Sequence, residues 1–439
     1  MAEGSLNKLY VEDESAHDWY RFVLSFPAHL VRRYLEDFGV GEDSYILDPF
    51  CGTGTTLVEC KKLGFRSVGI EAHPMTHFAS SVKVDWSPDP DGLLEHASRV
   101  AAAARAELED EGINDDQLYG SDTLFGEVGG EGLTMRSLPE ESHKLLLKNS
   151  ISPLPLHKTL VLLDHLDRNT SKEYSRHERL ALAKALVFEI GNLRFGPEVG
   201  VGPIKTDVPI LSTWLRVVSA IAEDLRILRE RDSMPSTAYH ADARQVPRMM
   251  KPDSVDVVIT SPPYPNEKDY TRSTRLESVL MGFLREKSDL RALKQDLIRS
   301  NTRGVYKADE DDAWVSDHPE IGRVAEAIES RRIELGKTSG FERLYARVTR
   351  LYFGGMARHL ADLRGVLRPG AHLAYVVGDQ ASYLRVMIRT GQILAEIAES
   401  LGYEVIGLDL FRTRLATATK EQLREEIVVL RWPGHKKKA

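Results

Sequence analysis

The chain has 439 residues and a formal charge of −8, with 42% hydrophobic and 28% charged residues, the make-up of a globular protein large enough for two or three domains. No apolar run reaches the roughly 20 residues that span a bilayer, and the opening Met-Ala-Glu-Gly-Ser lacks a signal peptide's basic and apolar regions, so the cytosol or nucleoid is the expected location. Two cysteines exclude a disulfide framework and a zinc site, and the acidic balance confines any nucleic-acid contact to a local positive face.

The first informative stretch runs from Tyr45-Ile46-Leu47 through Asp48-Pro49-Phe50-Cys51-Gly52-Thr53-Gly54-Thr55-Thr56 into Leu57-Val58-Glu59-Cys60. It reads as strand, glycine loop and helix. Gly52 and Gly54 let the backbone approach a ligand, and Thr55 or Thr56 is placed to cap the helix. A phosphate-gripping P-loop would need Gly-Lys-Ser/Thr after the glycines, and a dinucleotide fingerprint a third glycine at the helix start. Neither is present. Arg66-Ser67-Val68-Gly69-Ile70 then reads as a second strand ending at Glu71, whose carboxylate can accept from both hydroxyls of a ribose. His73 and His77 have the spacing of a helical metal pair but lack a Glu between them and a third ligand, so they are read as surface histidines and no metal is expected.

Trp86 to Gly92, rich in proline, reads as a domain exit. Helical patterning follows from Leu93, with Leu156 to Leu166, Arg179 to Ile190 and Trp214 to Leu228 showing apolar residues at three- and four-residue steps. A Gly-rich stretch, 120–132, interrupts it as a loop. Residues 93–235 are therefore expected to form a mainly helical insertion with its own core, set between 1–92 and 236–439, the two parts of one α/β domain.

Beyond the insertion come His240-Ala241-Asp242-Ala243-Arg244 and the apolar run Val255-Asp256-Val257-Val258-Ile259, which ends in Thr260-Ser261-Pro262-Pro263-Tyr264. Two consecutive prolines fix φ and remove two donors, leaving carbonyl oxygens free for other partners. A Ser hydroxyl and a Pro carbonyl aimed at one point suit an exocyclic amino group on a planar ring, and Tyr264 can stack on that ring. A second insert, about 285–345, is charged and helical in pattern. Leu351 to Leu367 reads as a helix, His372 to Gly378 as a strand, Ile388 to Leu401 as a helix, and Tyr403 to Phe411 with Glu426 to Arg431 as a terminal antiparallel hairpin.

These residues resemble the amino-group DNA methyltransferases that use S-adenosylmethionine, and among them the cytosine-N4 type, whose catalytic loop usually starts with Ser. The resemblance implies an α/β, Rossmann-like methyltransferase sheet ending in an antiparallel hairpin, plus the helical insertion. It implies catalysis by Ser261, Pro262, Pro263 and Tyr264. Asp48, Pro49, Phe50, Cys51, Gly52, Gly54 and Thr55 would form the cofactor loop, Glu71 the ribose acid, and Asp242 with Ala243 the adenine contact. His17 to Tyr20 through Phe26 and Pro27 looks like the segment closing over the methionine end. Cys51 lies inside the cofactor loop and is read as packing, not as a nucleophile. Double-stranded DNA is the implied partner, with a cognate restriction endonuclease as a second. The long spacing between cofactor and catalytic motifs departs from the family's usual arrangement, so its target-recognition boundary does not carry over.

Adenine-N6 methylation is the nearest alternative, because the same loop grips either amino group; RNA guanine-N2 methylation and a catalytically silent DNA- or cofactor-binding protein are further ones. Lys268, Arg272 and Arg275, then Arg299, Arg303 and Lys307, then Arg412 and Arg414, are the candidate groups for a positive DNA face. Lys436 to Lys438 read as a tail with weak phosphate affinity.

Overall fold

The structure is a computed structural model and describes residues 13–21, 26–116, 134–196, 198–266, 268–415 and 422–435. The Gly-rich stretch 120–132 and the lysines 436–438 lie outside these. In chain order the elements begin with a one-turn helix α1 (Glu14–His17), α2 (Ala28–Asp37), β1 (Tyr45–Asp48), α3 (Thr55–Lys62), β2 (Arg66–Glu71) and α4 (Pro74–Lys83). The helical insertion supplies α5 (Pro90–Asp110), α6 (Glu140–His143), α7 (Pro153–Arg168), α8 (Ser175–Ala185), a small ribbon of β3 (Leu193–Phe195) and β4 (Val199–Val201), and α9 (Ile210–Leu228). The sheet resumes with β5 (Ser236–His240) and β6 (Val255–Thr260), followed by α10 (Tyr270–Ser273), α11 (Arg275–Leu280), α12 (Lys287–Asp296), α13 (Pro319–Glu334) and α14 (Tyr345–Leu363). It ends with β7 (Leu367–Gly378), α15 (Thr390–Ser400), β8 (Glu404–Leu415) and β9 (Gln422–Arg431).

Seven strands form one sheet in the order β5-β2-β1-β6-β7-β9-β8. The first five are mutually parallel, and β9 pairs antiparallel with both β7 and β8. The Rossmann-like sheet with a terminal antiparallel hairpin is thus present. Parallel strands must be covered on both faces, which is why Ile46-Leu47 and Val257-Val258-Ile259 are continuous apolar runs. Successive residues point to opposite faces. Ile46, Val257, Ile259, Ala374 and Val376 meet α2 and α3, whereas Leu47, Val258, Leu373, Tyr375 and Val377 meet α13, α14 and α15.

From β1 the chain moves outward to β2 and β5, then returns to lay β6 on the other side of β1. Such a reversal opens a crevice at the carboxyl ends of the strands. The long insertion does not hang from this frame. Val100, Leu162, Trp214 and Ile221 share one apolar cluster with Leu57 and Val58 of α3 and with Met75 and Ala79 of α4.

Several element boundaries differ from the sequence reading: the terminal hairpin is longer, with β8 reaching Leu415 and β9 starting at Gln422, and two others have a visible cause. β7 begins at Leu367, ahead of His372, because Val255 pairs with Leu367 and Val257 with His372, so Arg368 to Ala371 bulge out through Pro369-Gly370. The preceding helix starts at Tyr345 and stops at Leu363, since a 3-10 turn at Glu342–Leu344 feeds it.

The second insert is fixed to the sheet through α14. A Cβ built on Gly354 would lie 1.9 Å from the Asp311 carbonyl oxygen, so backbone crosses backbone there and no side chain fits. Gly354→Ala should therefore destabilise the protein by about 1–3 kcal/mol or more, read as a lower urea midpoint; an unchanged midpoint would show that the 311–315 segment can move away freely.

Candidate active site

A cavity of about 450 Å³ opens at the carboxyl ends of the parallel strands. Its lining brings together most of the residues singled out in the sequence: Phe26, Pro27, Pro49, Phe50, Cys51, Gly52, Thr55, Glu71, Asp242, Ala243, Ser261, Pro262, Pro263 and Tyr264. Asp48 and Gly54 lie beneath it. Asp48 is fully buried at the end of β1, where Oδ1 accepts from the Phe50 amide (3.1 Å) and from the Thr260 hydroxyl (2.5 Å). Burial pushes its carboxyl up to about 6, against the pull of those hydrogen bonds. Gly54 takes φ +86° as the residue before α3, and a Cβ there would meet Ser80 Cβ at 3.0 Å, so it serves the turn and the packing of α4. Neither Thr55 nor Thr56 caps the helix through its side chain. Thr56 instead donates to the Ile259 carbonyl at 3.2 Å, fastening α3 to β6.

Gly52 has φ +51°, and a Cβ there would have nothing within 4 Å, so the loop leaves the cavity open at that point. Its amide donates to Glu71 Oε2 (2.8 Å) while the His73 amide donates to Oε1 (2.7 Å). Glu71 is thereby aimed into the cavity, and burial raises its carboxyl to about 7 in spite of both amides. Cys51 packs over Gly69, whose added Cβ would lie 2.7 Å from Cys51 Sγ, and burial pushes its thiol well above the ordinary range, as befits a packing residue. Asp242 caps a short helical turn, accepting from the Arg244 amide (2.9 Å), and its carboxylate is paired with the Arg244 side chain at 2.7 Å.

His73 is buried, not on the surface as expected. Its Nδ1 accepts from the Met75 amide (3.2 Å), which leaves Nε2 to donate to the Thr274 hydroxyl (2.9 Å), and burial lowers its pKa to about 3. Among the described residues no group of three or more His, Cys, Asp or Glu is placed to hold a metal ion.

On the other wall, Ser261 donates to the Val376 carbonyl at 3.2 Å, which directs its remaining lone pairs elsewhere. Tyr264 lies against the end of β7, where a Cβ on Gly378 would be 3.0 Å from its ring. Burial, then the neighbouring Glu425 carboxylate, raises its phenol above the ordinary range. Gly378, read only as the end of a strand, and Glu425 were not singled out as site residues, although a glycine closing the apolar run Tyr375-Val376-Val377 was a visible hint. Of the wall from Lys294 to Gly304, contributed by the second insert, the sequence reading named only Arg299 and Arg303, as candidates for a positive face.

The basic groups divide sharply. Lys268, Arg412 and Arg414 line the cavity. Arg275 turns inward to the carbonyls of Thr271 (2.8 Å) and Leu145 (3.2 Å), and Arg299, though on the cavity wall, is buried and paired with Asp309 at 2.8 Å, so both are structural. Arg272 lies outside the lining, and Arg303 and Lys307 are exposed outside it.

The N-terminal segment is clamped from three sides. His17 meets Glu59 at 2.7 Å, Trp19 donates to Asp224 at 2.7 Å, and Tyr20 donates to Glu277 at 2.6 Å.

Fold, cavity and sequence likeness together support a DNA methyltransferase of the amino-group, N6/N4 class. Residues 7–79 match the DNA methylase family of that class. The chain is 26% identical to the type II methyltransferase M.BsoBI of Geobacillus stearothermophilus, over 96% of this chain and 85% of that one. It is 24% identical to the type II methyltransferase M.AvaI of Anabaena variabilis, over 94% and 86% respectively. A shorter stretch of 69 residues is 38% identical to the type II methyltransferase M.MjaII of Methanocaldococcus jannaschii.

Glu277 gives a test of the electrostatics under the site. Burial raises its carboxyl from an ordinary 4.5 to about 7. Between these values the folded chain keeps a proton that the unfolded chain has released, so this stability contribution is lost as pH rises through the window. Glu277→Gln should flatten the fall in thermal midpoint between about pH 5 and pH 8 relative to wild type, as measured by calorimetry. Parallel curves for the two proteins would show that another group carries the dependence.

Proposed function

We propose that the protein is an S-adenosylmethionine-dependent, site-specific DNA methyltransferase acting on the exocyclic N4 of cytosine in a rotated-out base. The observation that carries this reading is one cavity lined both by the Gly52 loop with Glu71 and by the Ser261 to Tyr264 loop. The residues fit the cofactor. Glu71 offers a fixed carboxylate to a ribose diol, Gly52 leaves room for a ligand, Asp242 and Ala243 form the adenine end, and Phe26 with Pro27 closes the other. Bound there, the cofactor supplies a methyl group on a positively charged sulfur.

The amino nitrogen of cytosine is a poor nucleophile because its lone pair is delocalised into the ring. Ser261, its own proton engaged by the Val376 carbonyl, accepts one amino hydrogen, and the Pro262 carbonyl accepts the other. This favours a pyramidal nitrogen with an available lone pair, while Tyr264 holds the ring by stacking. Alignment supplies much of the rate, and no covalent enzyme intermediate is required. Ser at the head of the loop favours cytosine over adenine. We assign target recognition to the 285–345 segment, which supplies the cavity wall from Lys294 to Gly304, together with the 93–235 insertion, which stands outside the lining.

Expression in a host free of DNA methylation, followed by nucleoside mass spectrometry and single-molecule mapping, should reveal N4-methylcytosine at a defined sequence. N6-methyladenine in its place would overturn the choice of base. In purified protein, Ser261→Ala and Tyr264→Ala should abolish or strongly reduce transfer while leaving cofactor affinity intact, with Tyr264→Phe milder because stacking needs the ring. Glu71→Ala should weaken cofactor binding about tenfold or more by calorimetry, since a charge-assisted hydrogen bond contributes about 1.5–3 kcal/mol. Normal affinity in that variant would remove Glu71 from the site.

A further inference from the structure

The terminal hairpin presents two arginines to the cavity in a way methyl transfer does not use. Leu410 pairs with Glu426 and Arg412 with Glu425, so Phe411 is an extra residue in β8. A bulge of this kind increases local twist and re-aims side chains. Phe411, Arg412 and Arg414 all line the cavity as a result, facing Leu423 and Glu425 of β9.

Glu425 is 7% exposed and organises the pair. Its Oε2 accepts from Arg412 Nε, and its Oε1 lies 3.2 Å from Arg414 Nε. Both guanidiniums are thus gripped through Nε. The nearest contact of each with Glu425 runs through Nε, and among the described residues neither donates a hydrogen bond through its terminal nitrogens. Two guanidiniums on one carboxylate leave a net positive charge, and Lys268 in the same cavity adds to it. Lys294 and Arg299, by contrast, are neutralised by Asp269 (2.9 Å) and Asp309 (2.8 Å).

Terminal guanidinium nitrogens fixed in one plane are suited to two oxygens of a phosphate. The location points to which phosphate. Glu425 pairs with Gly378, the residue against which Tyr264 rests, and a rotated-out base remains tied to its own sugar-phosphate chain beside the ring that holds it.

We infer that Arg412 and Arg414, braced by Glu425, clamp the phosphodiester backbone of the target strand next to the rotated-out nucleotide. This rests on duplex DNA being the substrate and is independent of which base is methylated.

The test compares wild type with Arg412→Gln/Arg414→Gln and with the charge-keeping Arg412→Lys/Arg414→Lys. Binding of a labelled duplex carrying the mapped site is followed by fluorescence anisotropy across a series of salt concentrations. Neutralising two phosphate contacts should reduce the slope of log affinity against log salt by roughly 1.8, at about 0.9 per contact. The Lys pair should keep the slope and lose part of the affinity. A neutral methylphosphonate at a phosphate flanking the target should weaken wild type and leave the Gln pair indifferent, while calorimetry with S-adenosylmethionine gives equal affinity in all three. An unchanged slope in a Gln pair that binds cofactor normally would overturn the clamp alone. So would a wild type insensitive to methylphosphonate at every flanking position, a result independent of whether the variants fold. Wild type that neither binds duplex nor methylates it would overturn the clamp together with the function it rests on.

Discussion

The site depends on one hydrogen bond across the point where the sheet reverses direction. Asp48 ends β1 and Thr260 ends β6, and the 2.5 Å bond between them ties the glycine loop to the Ser261 loop. Neither residue is exposed, so the bond forms in a medium where an unpaired partner would be costly. Asp48 also accepts the Phe50 amide and so sets the turn that leads to Gly52. Two loops separated by more than two hundred residues of sequence are thus positioned by one carboxyl group that never reaches the cavity.

A second tier of polar contacts carries that order outward. Glu71 holds the Gly52 and His73 amides, His73 holds Thr274, and the short α11 that follows carries Glu277, to which Tyr20 returns from the N-terminal segment. Glu71 and His73 sit at a strand end and a helix start, where backbone amides need partners, and His73, Thr274, Glu277 and Tyr20 are buried. Functional geometry and local backbone satisfaction are met here by the same side chains.

The parts legible in the sequence were those with local signatures. Buried parallel strands announce themselves as apolar runs, and the residues that end them, Asp48, Glu71, Asp242 and Ser261, could be read as a set because strand ends converge in this topology. What failed to show was direction and depth. Charge alone does not reveal that Arg275 and Arg299 turn inward to carbonyls and a carboxylate while Arg412 and Arg414 turn to the cavity. Histidine spacing does not reveal that His73 is buried, because its burial is decided by Thr274, some two hundred residues away. Of the wall from Lys294 to Gly304 only the charges of Arg299 and Arg303 were legible, because contacts from outside the stretch hold it, among them the Tyr383 hydroxyl on the Ser300 carbonyl and Asp309 on Arg299 (both 2.8 Å).

The apolar cluster shared by the insertion with α3 and α4 bears on how such enzymes diverge. A segment with a private core could be exchanged between relatives as a cassette, carrying its preferences along. Here the residues that would change hands, among them Trp214 and Leu162, are packed on Leu57, Val58 and Met75 of the cofactor half. Transplantation would mismatch the buried seam, so change in the insertion is more accessible through exchange of solvent-facing residues on α5, α7 and α9, with the interior held constant. Divergence by surface substitution would keep the buried seam intact even where identity has fallen to about a quarter, the level between this chain and M.BsoBI or M.AvaI.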